Sequence, residues 1–294
     1  MCWKLVLEKS DIASCLSWAK TILCESESPA LDAELLLAKV LDKNRTYLFT
    51  WPEKLLSSSQ LTLFKRFVER RLKGEPIAYI IGEQGFWTLT LKVNTSTLIP
   101  RPETELLIEL ALDLLANKPA QILDLGTGTG AIALALASEN PTFSVLGLDC
   151  IPEAVQLATE NQQQCNIANV AFKLSNWFSV LDDQNRDGDD RRFDLIVSNP
   201  PYIDSADPHL SQGDVRFEPK SALVADQAGL ADIQLIANQA RYYLLDGGWL
   251  MFEHGYDQGE SAREILTALG YRSVKTFQDL GDRDRVTRGQ WFVG

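Results

Sequence analysis

The feature that most constrains the fold of this 294-residue chain is an alternation of short apolar runs with helical patterns from Arg101 onward. "QILDLG", "FSVLGLD", "VAFKLS", "FDLIVS" and "GWLMFEHG" read as buried strands. "ETELLIELALDLLA" reads as a helix ahead of the first strand. "AIALALASE", "PEAVQLATENQQQ", "ADIQLIANQARYYLL" and "QGESAREILTAL" read as helices between or after the strands. Apolar strands separated by helices form a mostly parallel sheet covered on both faces. The end, "YRSVKTFQDLGDRDRVTRGQWFVG", reads as two strands around a polar loop, which predicts an antiparallel partner at one edge. The charged run 182–192, "DDQNRDGDDRR", reads as a solvated loop.

Two regions of different character precede this one. Residues 1–75 look helical. Leu61, Phe64, Val68 and Leu72 share one helix face, and Gly74 follows as a stop. In "SPALDAELLLAKVL", Ser28 can cap a helix, Pro29 suits its first turn, and Leu31, Leu35 and Leu36 supply a buried face. Residues 76–100, "PIAYIIGEQGFWTLTLKVNTSTLIP", hold short β-prone runs between glycines and predict a linker with a β-hairpin. The expected domains are therefore 1–75, 76–100 and 101–294.

Charge narrows the partners. Formal net charge is −12. Residues 1–75 carry 12 Lys and Arg against 10 Asp and Glu, while the rest carry 16 against 30. That balance disfavours broad binding to nucleic acid or an anionic membrane. No run of 18 apolar residues predicts a membrane span, and "MCWKLVLEKSD" has no signal-peptide core. Cys2, Cys15, Cys24, Cys150 and Cys165 show no C-x-x-C spacing, and His209 and His254 are the only histidines. Free thiols in a reducing cytoplasm and no metal site are the expectation.

"QILDLGTGTGAIALALA" is strand, glycine loop, helix. Gly126, Gly128 and Gly130 let the backbone turn tightly and approach a ligand, and the helix N-terminus beyond offers N–H groups. The spacing is G-x-G-x-G rather than the G-x-G-x-x-G of dinucleotide folds. Alone it predicts a nucleotide-like cofactor without naming one. Asp149, ending the next strand, can accept two ribose hydroxyls or cap the helix that begins near Pro152. Asp124 can brace the loop or meet a cofactor ammonium. Trp177 can stack on adenine or fill the core. Asp149, Trp177 and Asn199 all fall at strand C-termini, where open α/β sheets place their ligands.

The second motif is "NPPY", residues 199–202. Asn199 precedes a proline and is pushed to an extended conformation. Pro200 and Pro201 stiffen the turn and carry no N–H. The Asn199 side chain and the turn's carbonyls supply acceptors, and Tyr202 supplies an aromatic face. Two acceptors beside an aromatic wall suit a planar –NH2 group. They hold its hydrogens and favour localising its lone pair for attack.

"DLGTGTG" with "NPPY" resembles class I S-adenosyl-L-methionine-dependent methyltransferases that act on planar amino nitrogen. "RLKGEPIAYIIGEQGFW" (71–87), "IPRPETE" (99–105), "SNPPYI" (198–203), "HLSQGDVRFEP" (209–219) and "EHG" (253–255) narrow the resemblance to the PrmC/HemK family of release factor glutamine methyltransferases. It covers essentially the whole chain. It implies a Rossmann-like α/β domain, with a mostly parallel seven-stranded sheet and an antiparallel edge, preceded by a small all-α domain that contacts the release factor. It implies S-adenosyl-L-methionine as cofactor, bound by Gly126, Thr127, Gly128, Thr129 and Gly130, with Asp149 on the ribose and Trp177 by the adenine. Asn199, Pro200, Pro201 and Tyr202 would hold the substrate amide, with Asn199 also near the cofactor. An acid often stands before this tryptophan in the family; here it is Asn176. The implied substrate is the glutamine of the Gly-Gly-Gln motif in class 1 peptide chain release factors, the proteins of translation termination. The implied reaction is in-line methyl transfer in the cytoplasm by a monomer, with no strong base.

The long connection 203–227 adds Arg216 and Glu218, which can shape a substrate pocket or pair to fix the loop. Arg101 and Glu103 have the same two readings. His209 and His254 read as structural. The nearest rivals are the same chemistry on a ribosomal-protein glutamine or on adenine N6 of nucleic acid. A nicotinamide dehydrogenase is the rival of another class, and the short glycine spacing speaks against it.

Overall fold

A computed structural model describes residues 9–116, 118–186, 192–211 and 213–293. The chain divides into two compact units. One runs to Glu83 and also takes in Ser211–Phe217; the other holds Gln84–Leu210 and everything from Glu218 onward.

The first unit is helical: α1 (Ile12–Ile22), α2 (Pro29–Leu41), α3 (Arg45–Thr50), α4 (Ser58–Leu72) and α5 (Ile77–Ile81). Its starts are capped as the sequence allows. Asp11 accepts from the Ser14 N–H, and Ser57 and Gln60 form a reciprocal capping box on α4. Ile12, Leu36, Leu37, Phe64 and Val68 lie in one core. The inward face of α2 differs from the expected one. Leu36 is buried but Leu31 is exposed, and Asp32 is turned inward. Asp32 is tolerated there because three donors reach it: the Ser26 and Ser28 hydroxyls and Arg71 Nε at 2.7 Å. Ser28 thus bonds Asp32 rather than capping its helix. Arg71 also donates to Asp214 at 2.9 Å, which ties Ser211–Phe217 into this unit.

The stretch 76–100 holds the expected hairpin, β1 (Glu83–Phe86) with β2 (Leu89–Lys92). Its first residues depart from the β-prone reading. Ile77–Ile81 is a helical turn, closed by Gly82 at φ 75, and Ile80 joins the helical core. Burial of Ile80 in the helical core, with Ile77 and Ile81 packed against it, overrides their β-propensity.

In the second unit a seven-stranded sheet has the order β5-β4-β3-β6-β7-β9-β8. The strands are β3 (Ala120–Leu125), β4 (Phe143–Asp149), β5 (Val170–Leu174), β6 (Phe193–Ser198), β7 (Leu244–Glu253), β8 (Arg272–Gln278) and β9 (Asp284–Gln290). Pairings are parallel from β5 through β7, and β9 is antiparallel to both β7 and β8. The helices are α6 (Glu105–Leu115), α7 (Ala131–Glu139), α8 (Pro152–Cys165), α9 (Ser179–Arg186), the short turn α10 (Asp226–Gly229), α11 (Ala231–Ala240) and α12 (Gly259–Ala268). Alternate strand residues feed two cores. Ile122, Leu195 and Met251 pack with α6 and α7, whereas Leu123, Ile196 and Leu250 pack with α11 and α12. Both faces are covered, as continuous apolar strands require.

Two boundaries shift. The reading of 182–192 as a loop fails through Arg186, because Ser179–Arg186 is helical. Buried Phe178 and Leu181 anchor it, and the Tyr243 hydroxyl donates to Asp182. Positions 187–191 lie outside the described residues. The helix expected to reach "YYLL" ends at Ala240, since Leu244 already pairs with Phe193 across β6 and β7. Among the described residues no helix is long and apolar enough to cross a membrane, and Cys15, Cys150 and Cys165 are free thiols. Cys2 lies outside them.

Strand β3 is flanked by β4 on one side and β6 on the other, so the order reverses direction at β3. The crevice at the strand C-termini beside such a switch is where ligands bind in open α/β sheets.

Candidate active site

A cavity of about 290 Å³ opens at those strand ends. Gly126, Thr127, Gly128 and Thr129 line it, together with Asp149, Trp177, Asn199 and Pro201. The expected residues therefore meet in one place. Gly130 and Pro200 do not line the cavity, nor does Tyr202.

The glycine loop is built by its backbone. Gly126 has φ 69, and a Cβ there would sit 3.7 Å from the Trp177 indole. Gly130 has φ 81 and serves packing, since a Cβ would come within 2.9 Å of the Phe172 ring. Four of the loop's donors are already spent. Gly126 and Thr127 N–H donate to Leu148 O, each at 2.9 Å, and Gly130 N–H donates to Thr127 O. Gly128 N–H donates to Asp149 Oδ2 at 2.9 Å. The N–H groups expected to meet a ligand are those of the helix N-terminus beyond, and these four are not among them. A pyrophosphate needs such donors unoccupied, and here a carboxylate stands among them. The loop suits a ligand without phosphates.

Asp149 also accepts from Ile151 N–H at 2.9 Å through Oδ1. It thus supports the turn into α8 and faces the cavity at once. A carboxylate has about four acceptor sites, so each oxygen retains capacity for a further donor. Burial pushes its pKa up, and the three backbone N–H groups around it pull the other way. Asp124 lies beneath the loop, fully buried, and does not line the cavity. Its Oδ2 accepts from the Thr127 hydroxyl at 2.6 Å. Burial raises this carboxyl to about 7. Through this bond it braces the loop.

Trp177 sits at φ 49, a left-handed conformation that costs a bulky residue roughly 1–3 kcal/mol. The Ser175 hydroxyl donates to Trp177 O at 2.7 Å and accepts from Val180 N–H, which holds the turn. The neighbouring Phe178 takes the core position, stacked on Tyr243 at 4.9 Å. The indole is thereby left half-buried along the cavity wall. Asn176, where the family often has an acid, is exposed and also lines the cavity.

At the other wall, Asn199 Nδ2 donates to Thr104 Oγ1 at 3.1 Å, and Thr104 donates to Glu253 Oε2 at 2.6 Å. The Tyr202 hydroxyl donates to the second oxygen of Glu253 at 3.0 Å. Glu253 is fully buried; burial raises its pKa, while both hydroxyls and the Arg285 charge hold it down. The Tyr202 phenol is likewise pushed up by burial and by the Glu253 charge. Thr104 and Glu253 carry no role in the sequence reading. They lie in the family-like stretches "IPRPETE" and "EHG", which marked the residues without giving them a task.

Arg101 lines the cavity and pairs with Glu218, whose side chain is buried. This pair is interior rather than superficial. Arg216 instead donates to Lys73 O and stacks on Phe217 at 5.0 Å, within the first unit. Glu103 is exposed. His254 is buried, which lowers its pKa. Its Nδ1 lies 2.8 Å from Gly255 O, an acceptor only, so Nδ1 carries the proton and Nε2 accepts from Thr287. It is a satisfied interior histidine. The side chain of His209 lies outside the described residues.

Known families match each of the two units. Residues 14–82 match the PrmC N-terminal domain, and residues 116–274 match a methyltransferase domain. The release factor glutamine methyltransferase of Vibrio cholerae is 58% identical over 266 residues, 90% of this chain and 91% of that protein. This chain belongs to the release factor glutamine methyltransferase family. The family's Pseudomonas aeruginosa protein is 55% identical over 269 residues, 92% of this chain and 95% of its own length. A methyltransferase from Pyrococcus furiosus is similar in fold at 19% identity, with a TM-score of 0.52 over 76% of this chain and 98% of that one.

Proposed function

We propose that this chain is an S-adenosyl-L-methionine-dependent methyltransferase that modifies a side-chain amide. Its substrate is the glutamine of the Gly-Gly-Gln motif in class 1 peptide chain release factors. The observation that carries the amide chemistry is the fixed orientation of Asn199. Its Nδ2 is committed to Thr104, so its Oδ1 is the atom left to accept from a substrate. The release factor rests on relatives that bear that name at 58% and 55% identity.

The residues present fit the cofactor. Its sulfonium is cationic and it carries no phosphate. The cavity has Asp149 and Asp232 on its walls and a glycine loop with four of its donors spent. Asp149 keeps acceptor capacity for ribose hydroxyls, and Trp177 offers an indole face for adenine. When bound, S-adenosyl-L-methionine supplies an electrophilic methyl group.

The chain's own task is to prepare the nitrogen. An amide nitrogen is a poor nucleophile because its lone pair is delocalised. Asn199 Oδ1 accepts one of its hydrogens, which orients the nitrogen and favours localising the pair. Pro201, on the cavity wall, restricts the space around the amide, and Tyr202 holds the turn through its bond to Glu253. Methylation makes that nitrogen cationic and acidic, so its proton passes to water and no strong base is needed. The reaction runs in the cytoplasm, the enzyme acts as a monomer, and nucleic acid is not a partner. The deficit of positive charge after residue 75 supports the last point.

Labelled S-adenosyl-L-methionine offered with purified release factor, ribosomal protein and DNA in parallel tests the reading. Label is expected on the release factor. Label on DNA alone, or on ribosomal protein alone, overturns the proposed substrate.

A further inference from the structure

The hydrogen-bond chain behind Asn199 has a direction, and that direction fixes which end of the amide faces the cavity. Glu253, as a carboxylate, can only accept. It is reached by two hydroxyls: Tyr202 at 3.0 Å on one oxygen and Thr104 at 2.6 Å on the other. A threonine hydroxyl has a single hydrogen. With that hydrogen given to Glu253, Thr104 Oγ1 can only accept from Asn199. The neighbour it accepts must then be Nδ2, and the 3.1 Å contact is to that atom. An amide flipped by 180° would set Oδ1 against an oxygen with no hydrogen to offer.

We propose that Thr104 and Glu253 are positioning residues that lock the Asn199 amide with its oxygen toward the substrate. The proposal rests on the amide-methylation reading given above. Asn199 touches the substrate; Thr104 and Glu253 act through it. Three separate pieces of chain converge to do this. Thr104 lies just ahead of α6, Asn199 follows β6, and Glu253 ends β7. Thr104 is 4% exposed and Glu253 1%, so solvent does not compete for either bond. Donation in one direction along the chain also polarises the amide. Each bond strengthens the next, and Asn199 Oδ1 becomes a better acceptor than a free amide oxygen. Tyr202 takes part from the other side. Its hydroxyl occupies the second oxygen of Glu253 and holds the aromatic ring in place. This accounts for a tyrosine in the turn whose hydroxyl points away from the cavity.

The geometry predicts a specific pattern. Thr104→Val removes the hydroxyl and keeps the shape. It frees the amide to flip and lowers turnover by about 10- to 100-fold, with cofactor affinity changed by no more than about threefold. Thr104→Ser keeps the hydroxyl and restores turnover to within about threefold of the parent. In an Asn199→Ala background, Thr104→Val has no further effect, since the residue it acts through is gone. Glu253→Gln introduces a donor at the root of the chain and gives the same turnover loss where it folds. The Thr104 variants carry the test if that buried change disrupts folding.

A readout that needs no substrate separates this proposal from the functional reading. Side-chain amide NMR of Asn199, assigned by its loss in Asn199→Ala, should show one slowly exchanging Nδ2 proton in the parent and in Thr104→Ser. Thr104→Val should lose that protection. A protected proton that survives Thr104→Val overturns the proposal, as does a turnover loss that adds in full to that of Asn199→Ala. A parent protein that protects the proton but labels no release factor overturns the substrate and leaves the amide lock standing.

Discussion

The two walls of the cavity are built by different means. The wall with the glycine loop is made of main chain. Five backbone N–H groups are spent on Leu148, Thr127 and Asp149, and Asp149 and Trp177 add side chains that face the space. The wall with Asn199 is made of side chains. Asn199, Thr104, Glu253 and Tyr202 bond one another through their functional groups. A backbone-built wall tolerates side-chain change but not a change of conformation. A side-chain wall fails at single atoms. The first suits a ligand bound the same way in every turnover, and the second suits a group whose lone pair must be aimed.

That contrast can be broken by experiment. The largest effect is expected at the aiming wall. Asn199→Ala should lower turnover by at least about 10²- to 10³-fold, the scale of losing one preorganised polar contact to a reacting group, while cofactor affinity changes much less. Single-turnover kinetics alongside calorimetry checks this, and near-normal turnover refutes the acceptor role. Asp149→Ala should do the reverse. It should weaken cofactor binding by about 1.5–3 kcal/mol, the worth of a charged hydrogen bond, and leave turnover at saturating cofactor closer to the parent. Unchanged affinity in the same calorimetry counts against a ribose contact. Trp177→Ala should cost about 1–3 kcal/mol of cofactor affinity through lost stacking, with equilibrium unfolding little altered because Phe178 holds the core position.

The smallest effect concerns the support of the loop. Asp124 has its carboxyl raised from 3.8 to about 7 by burial. An acid whose folded pKa lies above its unfolded one is bound to its proton more tightly when folded. Its destabilising effect is absent below the ordinary value and accrues as pH rises toward 7. Asp124→Asn keeps an acceptor for Thr127 and cannot ionise. Its stability relative to the parent should therefore rise across that window in denaturant titrations. A flat difference, or a fall, removes the buried-acid account.

The main-chain wall was the easier one to read in the sequence. Gly126, Gly128 and Gly130 stand within five residues, and strand, loop and helix follow in order. What escaped there was the use of the N–H groups, which depends on Leu148 and Asp149 arriving from a neighbouring strand. On the other wall only the contiguous motif at 199–202 was legible. Thr104 lies 95 residues from Asn199 and 149 from Glu253, and no spacing rule links them. The sheet followed from apolar periodicity, including its antiparallel edge. The misreadings elsewhere share one cause. Asp32, Ile77–Ile81 and Ser179–Arg186 take conformations set by partners far along the chain, namely Arg71, the helical core and Tyr243. Local propensity carries no record of such partners.

The account's central claim is that this cavity methylates one glutamine amide on a release factor. The most direct measurement offers labelled S-adenosyl-L-methionine with two substrates: an intact class 1 release factor, and the same factor with the Gly-Gly-Gln glutamine replaced by alanine. Label on the first and none on the second is the predicted result. Equal labelling of both, or no labelling of either by an enzyme that binds the cofactor, contradicts it.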